Sequence, residues 1–196
     1  MAENRSTATG HPLSPDQTDP ERVPEDFPWP IVLGVDPGTR IIGYGALVLR
    51  EDGPRLLAAG TLRPPASEPV PVRLGHLLEE FEDLLRRLRP ATLVIEEAFA
   101  FRNVQSALRV GEGRGALMAA AARAGLEIVQ YTPATAKKAI TGNGRADKTQ
   151  VAQMVAVHLK LAEPLSSLDA SDALALALAF AQKGRLDSLD SLARRR

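Results

Sequence analysis

The chain predicts an α/β fold: a mixed five-stranded sheet whose first three strands run antiparallel, with helices on both faces. Three observations predict it. Three short apolar segments follow one another between residues 31 and 62, separated only by turns. Two more, at 92–96 and 127–131, each follow a segment of helical periodicity. Tight turns join antiparallel strands, whereas a helical crossover returns the chain parallel. Alternation of helices and strands after an initial meander then covers both faces of the sheet.

The elements follow in order. Residues 1–30 hold six prolines and few apolar side chains, so they cannot offset the entropy of ordering and are expected to be a disordered acidic extension. Residues 31–35, Ile-Val-Leu-Gly-Val, read as a central strand covered on both faces. Pro37-Gly38 makes a turn, 41–49 a second strand and 55–62 a third. Gly43 and Gly45 inside the second strand imply a bulge or a close backbone approach. Residues 72–89 carry leucines and Phe81 at helical spacing, and Pro90 ends that helix. A parallel strand over 92–96 follows. Asn103 can cap a helix to about residue 124. Its stripe of Val104, Leu108, Gly111, Gly115, Met118 and Ala122 has small residues where either the sheet or a second subunit would pack closely. A strand over 127–131 comes next, then a short helix with Thr132 as cap and Pro133 at its first position. Asp147 can cap a helix to about residue 161, and the last helix spans about 169–182. The core domain is therefore 31–183, followed by a basic tail over 184–196.

Composition narrows the function. The chain has 196 residues, 44% of them hydrophobic, and no cysteine, which suits one globular domain without disulfides or thiolate metal sites. No run reaches the ~18 apolar residues of a membrane helix, and residues 1–30 lack the apolar centre of a secretory signal; a cytoplasmic protein is expected. The net charge is zero. Residues 1–30 contain six acids and two arginines, which leaves 22 basic and 18 acidic residues in the remainder, a charge of +4.

Four acids stand where buried segments end. Asp36 closes the first strand, Glu96 the fourth, and Asp169 and Asp172 head the apolar last helix. If the first and fourth strands are neighbours, Asp36 and Glu96 share the crevice at their carboxyl ends, where open α/β sheets bind ligands. Asp169 and Asp172 are three apart and share one helix face. Buried acids are costly unless paired. An all-oxygen set points to Mg²⁺ or Mn²⁺, and four carboxylates suit two ions ~3.5–4 Å apart for in-line phosphodiester hydrolysis to a 5′-phosphate and a 3′-hydroxyl.

Four ordered segments resemble the motifs of the RuvC family of Holliday-junction resolvases, within the ribonuclease-H-like superfamily: GVDPGTRIIGYG, VIEEAFAFRNVQSAL, GNGRADKTQVAQMV and LDASDALALAL. The likeness runs from Ile31 to about Gln182 and implies a ribonuclease-H-like fold. It implies a homodimer that cuts two opposing strands of a four-way DNA junction in recombination and repair, with RuvA–RuvB as partner. Asp36, Glu96, Asp169 and Asp172 would be the catalytic, metal-holding acids. Phe99 would stack on a base near the crossover, a contact worth roughly 1–3 kcal/mol; Phe101 is left open. Lys137 and Lys148 match the DNA-contacting region. With Lys138 and Arg145 they fall within twelve residues, and Arg102, Arg109 and Arg114 flank the other side of the proposed cleft. Such cations can neutralise phosphates. Asp169 stands where some relatives have histidine, and the extension over 1–30 is outside the pattern. His158 reads as structural. Rival readings are another ribonuclease-H-like nuclease such as the YqgF proteins, an actin- or hexokinase-like phosphate loop at Asp36-Pro-Gly-Thr39, and a junction binder that does not cut.

Overall fold

The structure is a computed structural model that describes residues 22–38, 40–97 and 104–193, with side chains to residue 184. Strands β1 (Ile31–Pro37), β2 (Ile42–Arg50) and β3 (Gly53–Leu62) form an antiparallel meander. Helix α1 (Val70–Leu88) crosses over to β4 (Thr92–Glu96), which lies parallel to β1. Helix α2 (Val104–Arg123) leads to β5 (Glu127–Tyr131), parallel to β4. Helices α3 (Pro133–Thr141), α4 (Lys148–Leu159) and α5 (Leu168–Ala193) complete the chain. The sheet order is β3-β2-β1-β4-β5, so β1 and β4 are adjacent at its centre. This is the mixed sheet the sequence predicts.

Alternation along the strands sorts the core into two layers. Ile31, Leu33 and Val35 of β1 and Leu93 and Ile95 of β4 pack with Phe81, Leu84 and Leu88 of α1 and Leu117 of α2. Val32 of β1 and Val94 of β4 point the other way and pack with Val151 and Val155 of α4 and Leu174, Leu176 and Leu178 of α5. Even-numbered residues of both central strands thus face α5.

Helix α5 lies directly on the sheet because three strand positions have no side chain. A Cβ at Gly34 would stand 2.0 Å from the Ala173 carbonyl oxygen, and one at Gly43 would stand 2.1 Å from that of Asp169. At Gly45 it would meet the Leu174 side chain at 2.5 Å. Gly43 and Gly45 are therefore a close approach, and the register of β2 on β3 also shifts, between Ala46 and Leu47.

Three expectations are corrected. The segment over 22–30, expected to belong to a disordered extension, is docked on the domain: Val23 is buried, and its N–H donates to the Arg87 carbonyl at 2.9 Å. Phe27 and Trp29 pack on the core, Arg50 lies over the Trp29 ring, and Glu25 pairs with Arg89 at 2.8 Å. Three apolar side chains in nine residues are enough to dock the segment, an effect that average composition conceals. The basic tail expected from 184 is instead a continuation of α5 to Ala193; Gly184 weakens a helix by only about 1 kcal/mol and does not end it. Third, of the two alternatives for the stripe of α2, its glycines do not take the sheet, although Met118 of the same stripe packs against the core. Cβ atoms at Gly111 and Gly115 would meet nothing within 4 Å, Val104 and Leu108 are exposed, and α2 buries Val110, Leu117, Ala120 and Ala121 instead.

Candidate active site

The parity of the strands builds the site. Asp36 follows Val32 and Gly34 on the α5 face of β1, and Glu96 follows Val94 on the same face of β4. Val35 and Ile95 are directly paired, so the two acids emerge side by side. Helix α5 supplies the rest. Ser167 takes the capping role at its start: Oγ accepts from the Ala170 N–H at 3.2 Å. Asp169 is thereby left free to face the crevice, one turn before Asp172.

Asp36, Glu96 and Asp172 line one cavity of about 210 Å³ with Lys137, Lys148, Pro133 and Val151. Lys148, the first residue of α4, inserts its ammonium between the α5 acids, with Nζ 3.1 Å from Asp169 Oδ1 and 2.9 Å from Asp172 Oδ2. A cation at a helix start is unfavourable, and these two carboxylates supply the compensation. Asp147 caps α4 through a reciprocal capping box with Gln150, which aims Lys148 at the crevice. A larger open hollow of about 460 Å³, lined by Arg86, Arg89 and Arg123, lies at the amino ends of β4 and β5. It gathers no carboxylate cluster and is away from the strand ends where these folds bind ligands.

The electrostatics are those of acids crowded together. Burial raises the Asp36 carboxyl to about 6, and Asp172 and Asp169 add to the rise against the pull of Lys148. Burial also raises Glu96, to about 7, reinforced by Asp36 and Asp172 and opposed by Lys148 and Lys137. For Lys148, burial works against the ammonium, but the bonds and charges of Asp172 and Asp169 outweigh it and hold it above the ordinary lysine value. Among the described residues no three acids or histidines form a ready-made cage; Lys148 bonds Asp169 and Asp172, and its charge also acts on Asp36 and Glu96.

A pH dependence follows. Asp36 and Glu96 bind protons more tightly folded than unfolded, so between about pH 4 and 7 the native state holds more protons. The stability they contribute is greatest on the acid side and falls as pH rises through that window. In chelator, thermal denaturation should show wild type losing more stability from pH 5 to 7.5 than the double variant Asp36→Asn/Glu96→Gln. Equal slopes would refute the crowding.

The remaining expected site residues fall in three groups. Phe99 and Arg102, with Phe101 and Asn103, lie outside the described residues. Lys137 lines the cavity, with Nζ donating to the Ala146 carbonyl at 2.7 Å and so holding the loop before α4. Arg145 is exposed in that loop, and its N–H donates to Asn143 Oδ1 at 3.0 Å. Arg109 and Arg114 are engaged elsewhere: Arg109 pairs with Glu112 at 3.0 Å, and Arg114 bonds the backbone of Glu96. His158 is structural, its Nε2 3.0 Å from the Ile140 carbonyl oxygen.

A family model described as crossover junction endodeoxyribonuclease RuvC matches residues 32–180. The chain belongs to the RuvC family. A RuvC crossover junction endodeoxyribonuclease of Maricaulis maris is 44% identical over 164 residues, covering 83% of this chain and 96% of that protein. One from Heliobacterium modesticaldum is 43% identical over 77% of this chain and 93% of its own. The solved RuvC of Thermus thermophilus superposes with a TM-score of 0.73 at 34% identity, covering 80% of this chain and 96% of that one. The same protein solved with a Holliday junction substrate gives 0.72 at 32% identity, with the same coverage. The RuvC family accounts for the fold, its ribonuclease-H-like sheet included, and makes the chain an endonuclease. No helix among the described residues is long and apolar enough to cross a membrane.

Proposed function

We propose that the chain resolves four-way DNA junctions by metal-dependent hydrolysis of two opposing strands, with Asp36, Glu96, Asp169 and Asp172 as the catalytic acids. The observation that carries the site is the cavity itself. It collects carboxylates from β1, β4 and α5 whose burial and mutual repulsion hold Asp36 and Glu96 far above the usual carboxylate range. Such crowding fits a hard divalent cation: every donor is oxygen, and positive charge would relieve the repulsion. Asp36, Glu96, Asp169 and Asp172 would hold Mg²⁺ or Mn²⁺, two ions in this reading. When bound, the metal supplies a water of lowered pKa and charge stabilisation at the leaving oxygen.

The residues of the chain supply the rest. The strand ends fix Asp36 and Glu96 side by side, and the buried body of α5 fixes Asp172. Lys148 balances Asp169 and Asp172 and stands ready to meet a phosphate oxygen when those acids turn to a cation. Lys137 orders the loop that presents Arg145. Phe99 and Arg102, on the segment between β4 and α2, would meet the unstacked bases and the backbone at the crossover. The exposed stripe of α2, with Val104, Leu108 and two glycines open to close approach, supports the homodimer. RuvA–RuvB as partner follows from the family alone, and a cytoplasmic location goes with this reading.

The test is incubation with a synthetic four-way junction. Paired nicks on opposing strands, bearing 5′-phosphate and 3′-hydroxyl ends and requiring divalent metal, are expected. Cutting of linear duplex at the same rate, or cutting in chelator, would refute the reading.

A further inference from the structure

Arg114 sits on α2 and reaches back to the end of β4. Its Nε donates to the carbonyl oxygen of Glu96 at 2.9 Å, in a partly buried position. An Nη of the same side chain donates to Gln130 Oε1 on β5. Both acceptors are neutral, although Arg109, five residues earlier on the same helix, pairs with a carboxylate. The guanidinium fork is rigid and planar, so it fixes the Glu96 backbone against β5 as well as against α2.

That position needs fixing. Glu96 and Tyr131 are the last paired residues of β4 and β5, both strands end there, and the Glu97 N–H bond to Tyr131 closes the ladder. Strand ends open more readily than strand centres. A side chain carried on an opening residue cannot hold the ~0.5 Å placement that a working site requires. The crowding of Glu96 by Asp36 and Asp172 adds a force that would push it outward.

We propose that Arg114 is a positioning residue, which clamps the end of β4 so that the Glu96 carboxylate stays in the crevice, and that it does not contact phosphate. The proposal rests on Glu96 being one of the metal-holding acids.

The test uses the full chain and the variants Arg114→Gln, Arg114→Lys, Glu96→Gln and, as a packing control on the same helix, Val110→Ala. Calcium binding to the free protein is measured by calorimetry, magnesium dependence by junction cleavage, and junction affinity in chelator at several salt concentrations. Arg114→Gln should weaken calcium binding and raise the half-saturating magnesium roughly tenfold. Junction affinity without metal and its salt slope should stay within about twofold of wild type, and Arg114→Lys should recover part of the loss. A salt slope reduced by about one with unchanged calcium binding would identify a phosphate contact and overturn the proposal. An equal weakening of calcium binding in Val110→Ala would reduce the effect to general loosening, and overturn it too. Glu96→Gln separates the two readings. If it leaves calcium binding and cleavage intact, the site assignment fails. If it abolishes both while Arg114→Gln changes neither, only the clamp fails.

Discussion

Asp172→Asn is expected to lower junction cleavage by roughly a thousandfold or more while leaving junction binding at least as tight as in wild type. Asp172 is better shielded than Asp169, with its side chain 14% exposed against 35%. Its charge raises both Asp36 and Glu96, so it stands within reach of both strand acids and would share any cation they hold. Losing a metal ligand forfeits several kcal/mol of charge stabilisation in the transition state, and each 1.36 kcal/mol is a factor of ten in rate. Binding depends on other terms. The amide removes a negative charge from a surface that receives phosphates, and it releases one of the two partners of Lys148. Cleavage under single-turnover conditions and junction affinity in chelator separate the effects. Near-normal cleavage would remove Asp172 from the site, and a parallel loss of binding would place it in the DNA-contacting surface instead.

How much of this was legible in the sequence depends on the range of the interaction concerned. The ends of strands are local, so Asp36 and Glu96 could be placed there from the apolar runs before them, but that the two strands are neighbours was a condition that only the fold supplies. The caps at Thr132 and Asp147 are also local, and the structure shows both side chains accepting the expected N–H bonds. What the sequence concealed depends on tertiary contacts. That Ser167, two residues before Asp169, caps the last helix depends on where the loop before it lies. The glycines of the α2 stripe imply closeness in general, and only the fold shows that the helix turns a different side to the sheet. Lys148 is expected on the DNA-contacting side, and nothing local reveals that two acids from a helix twenty residues on also close around it. Arg114 read the same way, since the carbonyl it bonds belongs to a strand that only the fold brings near.

Gly34→Ala and Gly43→Ala should be strongly damaging one-carbon changes, and for the same physical reason. At either position the added Cβ would lie about 2 Å from a backbone carbonyl of α5, Ala173 in one case and Asp169 in the other. Backbone oxygen cannot rotate aside as the end of a side chain can, so the helix must lift by about 1 Å or more to restore contact distance. Overpacking of this kind costs roughly 1–3 kcal/mol, occasionally more, and Gly34, at the centre of the sheet beneath the buried middle of α5, should define the upper end. Gly43 is nearer the site, because the carbonyl it would displace belongs to Asp169 itself. There only the first turn of the helix has to tilt, so less stability is lost and more geometry. Gly43→Ala is therefore expected to keep most of its fold and lose most of its cleavage, whereas Gly34→Ala loses stability first. Gly75, on the exposed side of α1 with nothing within 4 Å of its added Cβ, supplies the opposite sign. The same substitution there should stabilise by up to about 1 kcal/mol through helix propensity alone. Urea denaturation of the three variants, with cleavage measured where each is fully folded, checks the ordering; a Gly34→Ala midpoint equal to wild type would mean that α5 does not rest on β1 as closely as the packing requires.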